Sequence, residues 1–189
     1  MKAVADEQLI QWVADGDSSC LATLFERHHR GVYRYFLQML KDRTQTEDLV
    51  QEVFLKVLRK AGMFRGNGSF KGWLYNIARN VALDELRKAK RHGNGALEDE
   101  AVNEQLTDNR SAEQAAAGRQ QANLVLKALA QLPEAAREVI WLGRFEFESY
   151  EELGQALSCN AGTARVRMHR AMALLNTTYT SMYGAPVDG

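Results

Sequence analysis

Proline is nearly missing from this chain: Pro133 and Pro186 are the only two among 189 residues. Helical patterns can therefore run long without a breaker. Cysteine is equally scarce. Cys20 and Cys159 lie far apart and in no metal-ligand spacing, which argues against a disulfide framework or a zinc site. No metal or cofactor is expected, and both thiols should be reduced. An excess of one charge is also lacking, with 24 basic and 24 acidic residues. A DNA binder that works alone by neutralising phosphates is usually basic. The balance implies local basic patches offset by acidic ones, or a binder that needs a partner. No stretch approaches the roughly 18–20 apolar residues of a membrane helix, and residues 1–7 lack a signal peptide's apolar run. No membrane insertion and a cytoplasmic location are expected. Strands are not signalled, because no convincing alternation of period two occurs.

What is present is helical periodicity. Leu21, Leu24, Phe25, Val32, Phe36, Met39 and Leu40 recur at three- and four-residue spacing. So do Leu49, Val50, Val53, Phe54, Val57 and Leu58, and then Trp73, Leu74, Ile77, Ala78, Val81 and Ala82. Each series is one apolar face of an amphipathic helix. With 46% hydrophobic residues a packed core is attainable, and the fold class is all-α. Glycines break the pattern. Three fall between Gly62 and Phe70, so a loop is expected there, with Ser69 placed to cap the next helix. A second break opens at residues 92–95. From there to Gly118 the acidic residues are Glu98, Asp99, Glu100, Glu104, Asp108 and Glu113, against Arg110 alone. This reads as a flexible acidic linker, partly helical toward its end. Two small helical domains follow, 1–92 and 119–180, joined by linker 93–118 and ending in a tail, 181–189.

The segment Ser149–Ala171 reads as helix, tight turn, helix. Ser149 and Glu152 have capping-box spacing, and Asn160 or Thr163 is placed to cap the second helix. Gly154 lets the two helices approach. Ala164, Met168 and Ala171 point inward, leaving Arg165, Arg167 and Arg170 for a DNA groove or its phosphates. In the N-terminal half, Asp48, Gln51 and Glu52 share one helix face suited to a basic partner surface. Phe64, Phe70, Trp73 and Tyr75 stand beside a basic cluster, Arg79, Arg87, Lys88, Lys90 and Arg91, the composition that holds unpaired bases by stacking. Adjacent His28 and His29 are the only enzyme-like pair. They point in different directions on a helix, with no nucleophile or phosphate loop nearby, so no catalytic function is expected.

These segments together resemble bacterial RNA polymerase sigma factors of the extracytoplasmic-function (ECF) group. The resemblance spans about residues 7–178. It rests on Glu47-Asp48-Leu-Val-Gln51-Glu52-Val-Phe54, Phe70-Lys-Gly-Trp73-Leu-Tyr-Asn-Ile-Ala-Arg-Asn80, Leu132-Pro-Glu, Tyr150-Glu-Glu-Leu and Gly162-Thr-Ala-Arg. It implies that Asp48, Gln51, Glu52 and Phe54 dock on the clamp helices of the polymerase β′ subunit, within a core of β and β′. It implies a −10 element melted and read by Phe64, Arg65, Asn67, Ser69, Phe70, Trp73, Asn76, Arg79 and Asn80, with Arg87, Lys88 and Arg91 on its backbone. Asn160, Thr163, Arg165, Arg167 and Arg170 would serve the −35 element, so promoter DNA is met both melted and duplex. An anti-sigma factor and a stress or envelope response are implied as well. The sequence departs from the usual pattern at Ser158, often glycine, Ala164, often valine, and Val166, often polar. The other reading is a stand-alone helix-turn-helix regulator, which leaves the Asp48 face and the aromatic loop without a role.

Overall fold

The computed structural model describes residues 4–40, 43–91 and 112–184. Eight α-helices make up the described chain: α1 (Asp6–Ala14), α2 (Ser19–Leu40), α3 (Arg43–Lys60), α4 (Phe70–Arg91), α5 (Ala112–Ala130), α6 (Glu134–Trp141), α7 (Tyr150–Ala156) and α8 (Ala161–Tyr183). No strand occurs among the described residues, in line with the all-α expectation. Most of the linker expected at 93–118 lies outside the described residues. Helix α5 begins at Ala112, inside that stretch, and α8 continues to Tyr183, three residues into the expected tail. Gly184, at φ 74°, ends α8 in the left-handed conformation that glycine adopts without steric cost.

Local chemistry fixes the element ends. The Ser69 hydroxyl accepts from the Gly72 amide at 3.0 Å and caps α4. The glycine-containing break before it starts as a single 3₁₀ turn, Ala61–Met63. Pro133 precedes α6, where its missing N–H costs nothing. Ser149 caps α7 by accepting from the Glu152 amide at 3.2 Å. Asn160, rather than Thr163, caps α8, its side chain accepting from the Thr163 amide at 2.7 Å.

Helices α1–α4 pack around Ile10, Leu24, Val32, Phe36, Val53, Val57, Phe70 and Leu74, all fully buried. Helices α5–α8 pack around Leu142, Leu153, Ala156 and Ala164. Buried residues of both halves belong to one contiguous apolar cluster. Helix α7 lies against α4, and α6 against α2. The two units expected from the sequence are therefore docked on each other.

Candidate functional site

Three surfaces carry the candidate residues, and the fold treats each differently. The first is the outer face of α3. Asp48 and Gln51 are exposed, and Glu52 is half-buried and paired with Lys56 at 2.7 Å. Phe54 departs from the expectation. It is 4% exposed and packs edge-on against Phe25 at 4.9 Å, so in this conformation it belongs to the core and offers nothing to a partner. The apolar residues on the open side are Leu55, 52% exposed, and Leu58, 39% exposed. Leu58 corrects the expectation, since the periodicity puts it on the apolar face with Val57 whereas it lies open at the edge of that face; Leu55 falls outside that apolar series and is assigned to neither surface. Its offset was the available signal: it continues the polar positions 48, 51 and 52 by a helical turn.

The second surface is the loop before α4 and one face of that helix. Arg65 and Asn67 are exposed in the loop. The aromatic residues are not a stacking platform here. Phe64 and Phe70 are 6% and 0% exposed, Tyr75 is 1% exposed, and Phe64, Phe70 and Trp73 pack on one another with centroids 5.5–6.3 Å apart. Burying those rings holds the loop against α1, where the Phe70 amide also donates to Glu7 at 2.8 Å. Trp73 remains half-buried.

The polar residues of the same face are occupied by the C-terminal half. The Asn76 amide donates to the Ser158 hydroxyl at 2.6 Å and to the carbonyls of Gln155 and Ala156 at 3.3 Å. The Ser69 amide donates to the Gln155 side chain at 3.1 Å. A Cβ added at Gly72 would lie 2.7 Å from that same Gln155 oxygen, so a larger residue there would have to push the Gln155 side chain aside. Arg79 donates to Glu138 at 3.1 Å, and the Tyr35 hydroxyl donates to the other Glu138 oxygen at 2.7 Å. Glu138 is 3% exposed. Burial, and then the neighbouring carboxylate, pushes the Tyr35 hydroxyl well above its ordinary range, which keeps it a donor. A second buried carboxylate, Glu146, meets Lys71 at 3.1 Å and Arg34 at 3.8 Å. Asn80 is exposed, 3.5 Å from the Asn76 side-chain oxygen. The basic end of α4 is largely self-neutralised. Arg87 pairs with Asp84, Lys88 with Glu85 and Lys90 with Glu134, while Arg91 bonds the Arg87 carbonyl.

The third surface is α8. The turn before it places Ser158 at φ 54°, the left-handed region where glycine is favoured. The chain departs from the family pattern at the one turn position where glycine has a steric reason. A Cβ at Gly154 would lie 2.6 Å from the Cys159 carbonyl oxygen, so α7 and the turn touch through backbone. Arg165, Arg167 and Arg170 are exposed, as is Asn160, whose side chain is spent on capping; Thr163 is half-buried. The Arg165 guanidinium lies over the Tyr150 ring, 5.2 Å from its centroid.

The histidine pair is split as expected. His28 meets Asp6 at 2.5 Å, and His29 stacks on Phe25. Burial would raise the Asp6 carboxyl, but His28 and Arg27 hold it below its ordinary value.

Comparison with known proteins matches two segments of the chain to family models. Residues 24–92 match the family model of Sigma-70 region 2, and residues 122–175 match that of Sigma-70 region 4. The RNA polymerase sigma-H factor of Pseudomonas aeruginosa is 32% identical over 172 residues, 88% of this chain and 89% of its own length. The ECF RNA polymerase sigma factor SigX of Bacillus subtilis is 31% identical, covering 80% of this chain and 79% of the relative. Among solved structures, CnrH in complex with the cytosolic domain of CnrY superposes with a TM-score of 0.67 at 22% identity, over 94% of this chain and 99% of that one. The sigma factor RpoE of Bartonella quintana, solved with the anti-sigma factor NepR, gives 0.64 at 24% identity, over 83% of this chain and 94% of that one. The solved structures share the fold; two matched regions in sigma order and relatives above 30% identity over most of the chain lead to one conclusion: the chain belongs to the ECF group of bacterial RNA polymerase sigma factors, the subunits that direct core polymerase to promoters.

Proposed function

We propose that the α3 face of Asp48, Gln51 and Glu52, with Leu55 and Leu58 as its apolar part, docks on the clamp helices of the β′ subunit. The α4 face of Asn76, Arg79 and Asn80, with the loop at Arg65 and Asn67, melts and reads the −10 element. Arg87, Lys88 and Arg91 follow its backbone, and α8 holds the −35 element. The observation that carries this reading is the exposed α3 face, polar with an apolar edge, standing apart from the exposed basic face of α8. A stand-alone operator binder needs only the second.

In this reading the docked arrangement is a resting form, because Gln155 and Ser158 cover Asn76 and Ser69. Polymerase or promoter binding separates the two halves. The anti-sigma factor NepR bound to the Bartonella quintana sigma factor supports a similar control here: an anti-sigma factor that holds the chain until an envelope or other stress releases it. The chain works in the cytoplasm, and among its described residues no helix is long and apolar enough to cross a membrane.

The test is reconstitution. Purified chain with core polymerase initiates at promoters selected from a random library. The double variant Asp48→Lys, Glu52→Lys keeps its helical circular dichroism and binds core more weakly, by on the order of 1 kcal/mol per reversed charge. Tight binding of a duplex operator by the chain alone, with no gain from polymerase, would sink the proposal.

A further inference from the structure

The exposed side of α8 is not uniformly basic. Ala164, Met168, Ala171 and Leu175 are buried and define its inner stripe. At about 100° per residue, the line opposite passes through Gly162, Val166 and Ala173, all exposed. His169 and Arg170 form its shoulders. Arg165 and Arg167 stand about a quarter-turn or more to either side. Arg165 is further held aside by the Tyr150 ring, 5.2 Å away. The middle of the face is thus an uncharged ridge, with cations along its flanks.

That layout divides the labour of groove binding. Flanking arginines meet the phosphates on either wall, and the ridge enters deepest and meets base edges. At the N-terminal end of the ridge Gly162 presents no side chain, and a Cβ there would find only Asn160 Oδ1, at 3.4 Å. Backbone can therefore come close to the DNA at this point. One turn on, Val166 is 49% exposed and is the one large apolar side chain on the ridge. It has no donor or acceptor to offer a base. The major-groove feature that rewards an apolar side chain is the C5-methyl group of thymine.

We propose that Val166 is the base-reading residue at the centre of α8, and that it selects a thymine in the upstream promoter element by contact with its methyl group. This rests on reading α8 as the −35 contact. It narrows the first expectation, which left the arginines either to read bases or to grip phosphates: Arg165 and Arg167 position, and Val166 specifies.

The experiment uses reconstituted holoenzyme and a promoter selected from a library randomised upstream. Each thymine of the upstream element is replaced in turn by deoxyuridine, which removes the methyl and leaves base pairing intact. One replacement weakens open-complex formation by about fourfold, the worth of one buried methyl-sized group. Val166→Ala holoenzyme is weaker by a similar factor on the thymine promoter and indifferent to that deoxyuridine. Since Val166 is exposed, the variant keeps the wild-type melting temperature. Wild-type indifference to every deoxyuridine, with dependence on the upstream sequence intact, overturns this proposal alone. An equal deoxyuridine effect in wild type and Val166→Ala also overturns it. Transcription independent of the upstream sequence overturns the reading of α8, and the proposal falls with it.

Discussion

The two surfaces assigned to DNA differ in what lies over them. On α4, Asn76 spends its donors on the helix-turn-helix and Arg79 is tied to buried Glu138. On α8 the outward ridge and its arginines face solvent. One surface is ready-made, and the other has to be uncovered. The difference teaches that α7 is shared between them: it packs on α4 and carries the turn that launches α8. Under the proposed assignment, the upstream element can be gripped without rearrangement, whereas reading the downstream element requires α7 to leave.

Perturbations of this contrast rank by size. Arg79→Ala strips Glu138 of its cation. A fully buried pair broken this way costs roughly 3–5 kcal/mol; Arg79 is partly exposed, with 22% of its side chain accessible, so about 2–3 kcal/mol is expected. Separation of the halves relieves that cost, and small-angle scattering should register a larger radius of gyration. An unchanged radius would mean that the apolar contact alone holds the halves together. Gly154→Ala comes next. Its methyl meets the Cys159 carbonyl oxygen, and overpacking of this kind costs about 1–3 kcal/mol. Because the turn serves both surfaces, thermal melting should fall and upstream binding weaken together; loss of one without the other would show that α7 and α8 are less rigidly joined than they look.

Arg165→Ala touches the open surface alone. Binding should weaken on all upstream sequences alike, with the salt slope reduced by about one; a loss confined to one base position would make Arg165 a reader. Ser158→Gly has the smallest net effect. It relieves left-handed strain of about 1–2 kcal/mol and forfeits the bond from Asn76, worth about 0.5–1.5 kcal/mol. Stability should barely move, while the Asn76 side-chain amide becomes accessible to hydrogen exchange. An amide as protected as before would show that the two carbonyls suffice.

Much of this was legible in the sequence, for local reasons. Helix periods, the Ser69, Ser149 and Asn160 caps and the small residue at Gly154 are effects of neighbours within a turn or two, and the structure has them all. The departure at Ser158 had its physical meaning in a backbone angle. What could not be read was the docking of the halves. Tyr35 and Glu138 are 103 residues apart, and Glu138 sits on a short amphipathic helix where a charge reads as solvated. The burial of Phe64 and Phe70 is hidden for a related reason: composition shows aromatic rings beside cations, but only packing decides which rings are buried, and the same packing buries Phe54, which the resemblance had placed on the partner face. Val166 was visible as an oddity, and its central place emerged once the buried stripe of α8 fixed the helix's rotation.

The unbroken apolar cluster has a thermodynamic consequence. Two domains that share one core unfold together, because neither can lose its half without exposing the other's. In the docked form the chain should give a single calorimetric transition. A variant or partner that separates the halves turns that into two, each smaller in enthalpy and lower in temperature. The cooperativity of melting is thus a direct readout of whether the α4 face proposed to read the promoter is open, obtainable without DNA or polymerase in the sample.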